Sequence, residues 1–383
     1  MALTFLTRKP DSGLGNIRSS PGDPSRNVDW VLLGTQGILT VIGCCIVYSA
    51  SWRVVDIDPY VFVTRQVVFA IAASVLMVAV MSVDYEWFKE RATFLYAATI
   101  ALLVLLILMG VAQGLDRISF DLGPINFQPA ELAKFTVLIA LASYLAEERS
   151  DEVSYARFVG GLMLVGLPAV LIIAQPDLGS ASVIVTIAMG VLLVAGAKAK
   201  YIALISFLSI STVAATFVSG FVNEYQKERL RVYIGAETDE NSIYQVRNAI
   251  RAVGTGGLTG KGWLQGPLTN GGDVPVMWAD FPFAAVGEQF GLIGCTVLLL
   301  LFVVALMRIW RIATLSRDLL GTYLCAGVFT MLLWQVFQNV GMTLGIMPVT
   351  GLPMPFISYG GSSLLTYFAM FGIVQSVHMR RMR

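Results

Sequence analysis

Long apolar stretches recur along this chain, and each is about as long as a lipid bilayer is thick. A helix that crosses the hydrocarbon layer needs about 20 mainly apolar residues. The sequence predicts ten such helices, at about 29–51, 60–83, 91–112, 130–147, 157–174, 179–196, 200–221, 283–308, 318–345 and 361–379. The predicted fold class is therefore all-α, a polytopic membrane protein in which each helix satisfies its own backbone hydrogen bonds.

Composition excludes several classes of function. Only 13% of the residues are charged, against about 25% in soluble domains, so a water-soluble enzyme is excluded. A net charge of +1 provides no excess positive field for nucleic acid. The single histidine, His378, leaves too few ligands for a His-rich zinc site, a haem or a catalytic triad. Cys44, Cys45, Cys295 and Cys325 lie in apolar runs without Cys-x-x-Cys spacing, which is typical of buried hydrophobic residues.

The placement of Lys and Arg predicts the orientation. Most basic residues of the tails and short loops fall on the side of the N-terminus, whereas the opposite short loops hold only Arg53 and Arg117. Both termini are therefore predicted to be cytoplasmic. Residues 1–28 form a predicted disordered cytoplasmic tail, 29–379 the membrane domain, and 380–383 a basic cytoplasmic end. The one long loop, about 222–282, is predicted to be extracytoplasmic.

Ionisable residues inside predicted spans are candidate functional residues, because lipid makes them costly. Arg65 lies in the second span, Glu131 and Lys134 open the fourth, and Asp177 lies between the fifth and sixth. Glu131 and Lys134 are three residues apart and share a helix face, so they form a local ion pair, bind substrate directly, or do both. Asp177 either caps the following helix or takes part in the site.

The second half of the long loop contains an unusual run of residues. Tyr244-Gln245 is followed by a glycine cluster at 254–262, and Asp280 precedes the eighth span. The glycines form either a flexible turn or a weak phosphate-binding loop, since no Walker pattern is present. Asp280 precedes Phe281-Pro282, a pattern that favours an N-cap. The same position also places a carboxylate beside apolar surface at the mouth of the bundle, as a general base requires.

The segment between the ninth and tenth spans carries no charge but is rich in Pro and Gly. It runs from Asn339 to Ser363 and includes Pro348, Gly351 and Pro353. Such backbone at membrane depth must be satisfied by protein or by a wet cavity. The segment is therefore predicted to line a site.

These segments together resemble the SEDS family (shape, elongation, division and sporulation), most closely its rod-shape members. The most specific match extends from Asn339-Val340-Gly341-Met342 through 351–363, and the resemblance covers about Asp29 to Gln375. Supporting matches are Tyr48-Ser49-Ala50-Ser51, Arg65-Gln66, Phe127-Gln128-Pro129-Ala130-Glu131-Leu132-Ala133-Lys134, Gln175-Pro176-Asp177-Leu178-Gly179 and Tyr244-Gln245. The resemblance implies a ten-span peptidoglycan glycosyltransferase that polymerises lipid II at the outer face of the cytoplasmic membrane during elongation.

The family's essential acid falls on Asp280. In this chain Trp278-Ala279 precedes it where the family usually has His-Thr, Gln289 follows Glu288 where two Glu are common, and Ala130 replaces a usual Ser. The resemblance implies a substrate site that includes the residues Arg65, Glu131, Lys134, Asp177, Tyr244, Gln245, Ser358 and Gly360. It also implies a class B penicillin-binding protein as partner.

In the implied reaction a sugar hydroxyl attacks a donor sugar and displaces a lipid diphosphate. Asp280 is the predicted general base, and Lys134 the first candidate to stabilise the leaving diphosphate, ahead of Arg65, Arg247 and Arg251. No cofactor is required by the sequence, although Mg²⁺ or Mn²⁺ could bridge the diphosphate. Three alternatives stay open: a lipid II flippase or other transporter, a division-type polymerase, and a scaffold in which Asp280 is only a cap.

Overall fold

The computed structural model describes residues 27–52, 60–113, 118–122, 125–147, 152–218 and 240–382. The helices within these ranges are α1 (Trp30–Ser51), α2 (Tyr60–Ser82), α3 (Tyr85–Glu90), α4 (Ala92–Gln113), α5 (Pro129–Ala146), α6 (Tyr155–Ile173), α7 (Leu178–Val194), α8 (Ala199–Val218), α9 (Glu240–Thr255), α10 (Pro267–Gly271), α11 (Pro282–Thr314), α12 (Leu319–Thr343) and α13 (Gly361–Met379). Strands β1 (Phe120–Leu122) and β2 (Ile125–Phe127) form a small antiparallel hairpin before α5.

Each of the ten predicted spans coincides with a helix, which confirms the all-α membrane fold class. The hairpin is the one departure within the described ranges. Seven of the described helices are long and apolar enough to cross a membrane: α1, α2, α4, α5, α6, α11 and α12. Helix α7 and the part of α8 from Ala199 to Thr212 are shorter apolar stretches. The count of ten spans therefore stays a prediction. Residues 1–26 of the predicted tail (1–28), Arg53, Arg117 and residues 219–239, which include the start of the predicted long loop at about 222, lie outside the described residues.

Helix starts follow the local sequence. Asp29, Ser154, Asp177 and Asp318 are N-caps whose side chains accept hydrogen bonds from the first-turn amides of α1, α6, α7 and α12. Each of these side chains satisfies a backbone N–H that has no partner inside its helix. Pro occupies the first turn of both α5 and α11, where its missing N–H costs no helical bond.

The helices are layered by their exposure to lipid. In α5, 83% of the most apolar window is buried against protein, whereas in α2 the corresponding share is 17%. Nearly every residue of α13 from Ser363 onward is also buried. Because α5 and α13 face protein, they can carry the polar side chains that a lipid-facing helix would exclude. The polar residues of the bundle are accordingly concentrated in its centre.

At one end of the bundle, Asp29 connects three helices. Its carboxylate accepts hydrogen bonds from Arg308 Nε and Nη2 at 3.0 and 2.5 Å, while its backbone exchanges two bonds with the Gln375 amide. Burial raises the pKa of Asp29, but the bonds from Arg308 and from the Leu32 amide outweigh it and hold that pKa below its ordinary value. We call this the Asp29 end; the sequence predicts that it faces the cytoplasm.

Candidate active site at the Asp280 end

The other end of the bundle gathers the irregular segments of the chain. Helices α2, α5, α7, α11 and α13 begin there, and the hairpin, the turn at 174–177, the segment 256–281 and the segment 344–360 connect the helices across it. Hydrogen bonds between these segments show that they meet: Ser362 contacts Asn126, and Tyr359 contacts Trp278. We call this the Asp280 end. Of the two ends, it holds nearly all of the candidate residues predicted from sequence.

Asp280 lies in a tight turn immediately before α11. Its backbone N–H donates to the carbonyl of Val276 at 3.1 Å, and its own carbonyl accepts from Asn339 Nδ2 at 2.9 Å. The N-cap of α11 is Phe281, so the prediction that Asp280 itself is the cap was wrong by one residue. The Pro282 ring fixes the first helical position and leaves Asp280 outside the helix. Its carboxylate is half-buried.

The segment 354–360 packs against the Asp280 turn. Tyr359 N–H donates to the Trp278 carbonyl at 2.9 Å. Ser358 is buried, and its hydroxyl accepts from the Met354 amide at 2.7 Å. Gly360 begins α13 without a side-chain cap, and a Cβ there would lie 2.6 Å from Ser363 Oγ. Ser358 and Gly360 therefore shape the backbone beside the Asp280 turn, and we call the region between this backbone and the turn the mouth of the bundle. The Ser358 hydroxyl already takes part in the hydrogen bond with Met354.

Helix α2 brings Arg65 to the same place. The neighbouring Gln66 bonds both sides of this mouth, with Nε2 donating to the Ser358 carbonyl at 3.2 Å and Oε1 accepting from the Gly360 amide at 3.4 Å. Arg65 is exposed and makes no ion pair with any other described residue. It lies five residues into α2, about 8 Å along the axis. An exposed cation at this depth is within reach of an anionic headgroup.

Glu131 and Lys134 form a buried ion pair on α5. Lys134 Nζ donates to Glu131 Oε1 at 2.5 Å, and the two side chains are 0% and 3% exposed respectively. The other carboxylate oxygen of Glu131 is buried without a hydrogen-bond partner among the described residues. The local pair predicted from the spacing is therefore present. Lys134 is fully buried in this structure, and its ammonium is bonded to Glu131.

Asp177 connects α7 to α5. One carboxylate oxygen caps α7 by accepting from the Ser180 amide at 2.9 Å, and the other accepts from Gln128 Nε2 at 2.9 Å. The backbone N–H of Gln128 in turn donates a hydrogen bond to Ser362 Oγ at the start of α13. Asp177 thus acts as a cap and also fixes the relative positions of three helix starts at the mouth.

The glycine cluster packs against a break in α11. Gly291 has a φ of 63°, which interrupts the helix, and the amides of Leu292 and Ile293 donate to carbonyls of residues 257 and 258. In return, the amides of Lys261 and Gly262 donate to the carbonyls of residues 288 and 289. A Cβ on Gly256 would collide with the Gly287 carbonyl. The cluster is a close backbone contact, and these amides are not available to a phosphate.

Glu288 anchors the long loop to α11. This carboxylate is fully buried and accepts from the amides of Leu268 and Thr269 at 3.0 and 2.7 Å and from the Thr269 hydroxyl at 2.6 Å. Lys261 Nζ lies 3.3 Å away. The adjacent Gln289 extends the anchor by donating to Ser49 of α1 at 2.7 Å. The loop that leads to Asp280 is therefore held to the membrane helices.

Tyr244 contacts the loop at a different point. Its hydroxyl donates to Asp273 Oδ1 at 3.1 Å, and Asn248 supports the same turn by donating to the Asp273 carbonyl. Gln245 is half-buried beside it on α9. The remaining cationic candidates on α9 are exposed: Arg247 and Arg251. The contact that the structure gives Tyr244 is to Asp273, seven residues before Asp280.

Interhelical hydrogen bonds join most of the candidate residues, but through side chains that sequence reasoning did not select. Gln66, Gln128, Glu288 and Asn339 hold the segments together, and Asn339 also donates to the Leu352 carbonyl. The signal was present, since an amide within an apolar span is costly unless it is bonded. Glu288 carried a second signal, because it is an ionisable residue inside the predicted eighth span.

An apolar cavity of 900 Å³ opens between α6, α7, α8, α11 and α12. Its walls include Leu162, Val185, Phe329 and Trp334. Trp334 lies five residues before Asn339 on α12, about 8 Å along the axis, so the cavity extends toward the residue that holds Asp280. A larger cavity of 1180 Å³ lies at the Asp29 end, between α4, α5, α6 and α12, away from this chemistry.

The described residues do not form a protein cage for a metal ion. No group of three or more His, Cys, Asp or Glu side chains in these ranges is arranged to hold one. Mg²⁺ commonly binds through one or two carboxylates together with substrate phosphates. Binding of that kind does not require a protein cage.

Known proteins resemble this chain over about nine-tenths of its length. The family FTSW_RODA_SPOVE, described as "Cell cycle protein", matches residues 29–383. The peptidoglycan glycosyltransferase MrdB of Escherichia coli (strain K12) is 32% identical over 353 residues, which cover 90% of this chain and 91% of that protein. The crystal structure of the Thermus thermophilus rod shape determining protein RodA aligns with a TM-score of 0.68 and 28% identity, covering 93% of this chain and 98% of that one. A chain from a structure entitled "Structural coordination of polymerization and crosslinking by a peptidoglycan synthase complex" aligns with a TM-score of 0.76 and 28% identity, covering 93% and 99%.

Proposed function

The chain belongs to the FTSW_RODA_SPOVE family of cell cycle proteins, the SEDS family, and on that premise we propose that it is a peptidoglycan glycosyltransferase that polymerises lipid II. The observation that carries the proposal is the position of Asp280: a half-buried carboxylate, outside the helix, held by Asn339 at a mouth lined by irregular backbone. Curated relatives that bear this activity match over nine-tenths of the chain.

Asp280 acts in this proposal as the general base. The 4-hydroxyl of the acceptor sugar loses its proton to the carboxylate as its oxygen attacks the anomeric carbon of the donor. The bond from that carbon to the diphosphate oxygen breaks, and the lipid diphosphate leaves. A positioned carboxylate typically contributes about 10²- to 10⁴-fold in rate. The backbone bonds of Asp280 to Val276 and Asn339 support this role, because they fix its position before substrate arrives.

The leaving diphosphate gathers negative charge and needs a cation near it. Lys134 was the first candidate from sequence, but its ammonium is buried on Glu131. Arg65 is exposed, and its neighbour Gln66 bonds the segment that contacts the Asp280 turn. We therefore assign the diphosphate contact to Arg65. Lys134 and Glu131 instead stabilise the packing of α5 through their buried ion pair. Arg247 and Arg251, which are exposed on α9, are the alternative candidates for the diphosphate contact.

The polyprenyl tail of the substrate needs an apolar groove that is open to lipid. The 900 Å³ cavity beside α12 has this character. Because lipid tails are as apolar as the side chains of this cavity, the tail can pass from the bilayer into the groove without exposure to water. We propose that the tail occupies this cavity while the headgroup lies at the Asp280 end.

A divalent cation would enter with the substrate, since the described residues offer no protein cage. Mg²⁺ or Mn²⁺ would then supply charge neutralisation at the diphosphate. Polymerisation in the presence of EDTA, with and without added Mg²⁺ or Mn²⁺, tests this proposal.

The cellular setting is proposed on the same grounds. The bias of Lys and Arg in the loops supports a cytoplasmic-membrane protein with both termini in the cytoplasm, which places the Asp280 end outside. The likeness to a chain of a peptidoglycan synthase complex supports a class B penicillin-binding protein as partner. The likeness to a rod shape determining protein favours a role in elongation over the division role of FtsW-type relatives.

The experiment that tests the proposal replaces Asp280 by asparagine. Asparagine preserves the shape of the side chain, but its amide cannot accept the proton as a carboxylate does. We expect purified Asp280→Asn protein to polymerise lipid II about 10²- to 10⁴-fold more slowly than wild type. Asp273→Asn is the matched control, because Asp273 is a half-buried carboxylate on the same loop. Wild-type rates in Asp280→Asn protein would refute the assignment of the base.

A second assay separates polymerisation from transport. Reconstituted vesicles containing fluorescent lipid II report movement of the lipid across the bilayer. Translocation without polymer in wild-type protein would favour the flippase alternative. Polymer that depends on Asp280 would exclude the scaffold alternative, in which this residue has no chemical role.

A further inference from the structure

Three aromatic rings meet beside Asp280. The Phe62 ring of α2 lies 5.1 Å from Trp278 and 5.3 Å from Tyr359 between centroids, the latter pair edge to face. The Tyr359 amide also donates to the Trp278 carbonyl. The cluster therefore joins α2, the Asp280 turn and the segment before α13. The proposed chemistry uses none of these rings.

The rings lie at the edge of the core: Trp278 packs against it, but all three rings are only half-buried. Phe356, three residues before Tyr359, is by contrast only 1% exposed and packs on Phe371. Aromatic side chains with one packed and one accessible face are common in ligand sites, where a few polar groups then fix orientation. Asp280 is such a polar group.

Strain in the turn fixes Trp278 relative to Asp280. Val276 is a β-branched residue with φ of 53°, a conformation that costs free energy and persists where surrounding bonds enforce it. Its carbonyl accepts from the amides of both Ala279 and Asp280. The Cα atoms of two residues that are two positions apart lie at most about 7 Å from each other. The backbone of Trp278 is therefore held close to that of Asp280 by the turn.

We propose that Trp278, supported by Phe62 and Tyr359, is a stacking platform for the acceptor sugar of the lipid-linked disaccharide. The C–H groups on the apolar face of a pyranose carry slight positive charge, which the negative face of an aromatic ring attracts. Stacking on Trp278 directs the ring hydroxyls sideways toward Asp280. This inference rests on the proposed function and assigns Trp278 as the residue that binds and orients the acceptor.

Replacement of Trp278 by phenylalanine and by leucine separates stacking from packing. Both side chains fill apolar space against Phe62, but only phenylalanine has an aromatic face. We expect Trp278→Leu to raise KM for lipid II about tenfold with less change in kcat, and Trp278→Phe to stay within about threefold of wild type. Trp263→Ala is the control, because Trp263 is an exposed tryptophan on the same loop. It should leave KM unchanged.

A binding measurement in the Asp280→Asn background makes the outcome independent of turnover. Fluorescent lipid II should bind the Trp278→Leu protein about tenfold more weakly than the Trp278→Phe protein. The stacking role of Trp278 would be refuted if the two variants bound fluorescent lipid II equally well, or if Trp278→Leu lost no more affinity than Trp263→Ala. This holds even if wild-type protein polymerises lipid II. Absence of polymer from wild-type protein would instead refute the proposed function.

Discussion

Replacing Glu288 by glutamine tests whether this buried carboxylate holds the catalytic loop to α11. Oε1 accepts from the Leu268 amide and Lys261, and Oε2 accepts from the amide and hydroxyl of Thr269. A carboxamide keeps only one accepting oxygen. The Thr269 hydroxyl can rotate and Lys261 can turn to solvent, but at least one buried backbone amide then loses its partner.

The size of the expected destabilisation follows from the loss of a hydrogen-bond partner by at least one buried backbone amide. An orphaned buried donor costs about 1–3 kcal/mol, and hydrogen bonds to a charged group are at the upper end of the usual range. We expect Glu288→Gln to destabilise the local structure around 264–270 by about 2 kcal/mol, which raises its opening constant about 30-fold. Lipid II polymerisation should fall as well, because the Asp280 turn is tethered to this loop.

Hydrogen exchange measured by mass spectrometry reads the opening directly. Peptides that cover 264–270 should exchange faster in Glu288→Gln protein, while peptides from α13 should not change. Glu90→Gln is the control, because the Glu90 side chain is 72% exposed and forms a surface ion pair with Arg91, so its loss should cost less than about 0.5 kcal/mol. Unchanged protection at 264–270 in the Glu288 variant would show that the carboxylate is not an anchor.

Three further predictions concern other parts of the bundle. The pKa of Asp29 is lowered in the folded protein, so the ionised carboxylate contributes fully to stability above about pH 4, and this contribution is lost as the pH falls through the pKa of the folded state. Thermal unfolding in detergent should show this loss of stability at acid pH in wild-type protein and not in Asp29→Asn. Lys134→Met should cost about 3–5 kcal/mol by leaving Glu131 charged and buried, and the double variant Glu131→Gln/Lys134→Met should recover most of it in the same unfolding assay. Gly256→Ala should displace the loop from α11 because its Cβ meets the Gly287 carbonyl, which faster exchange at 256–262 would report and unchanged exchange would contradict.

The positions of the helices could be read from the sequence because lipid leaves the backbone few alternatives. A stretch of about 20 apolar residues forms a helix in a bilayer whatever its neighbours do. Caps were equally local: Asp177 accepts from an amide three residues away, within one turn. The local pair of Glu131 and Lys134 followed from their spacing on one helix face. In each case the interacting residues are only a few positions apart.

The candidate site depended on contacts that no local pattern contains. The side-chain amide of Gln66 forms hydrogen bonds with Ser358 and Gly360, which are 292 and 294 positions away along the chain. Gln289 forms a hydrogen bond with Ser49, which is 240 positions away. The glycine cluster suggested a turn or a phosphate loop, yet its amides bond the broken backbone of α11. The pattern before Pro282 suggested a cap at Asp280, but the helix began one residue later than a cap there would require.

The sequence by itself determined that this chain is a membrane protein and where its helices run, because hydropathy and short-range hydrogen bonds act along the chain. The choice of Asp280 as the acid to test came from the resemblance of the sequence to its family. Only the tertiary structure decided that Lys134 is sealed in the core, that Glu288 holds the loop, and that Trp278 lies against Phe62. Those facts depend on which helix faces pack together, and packing is set by the whole bundle at once.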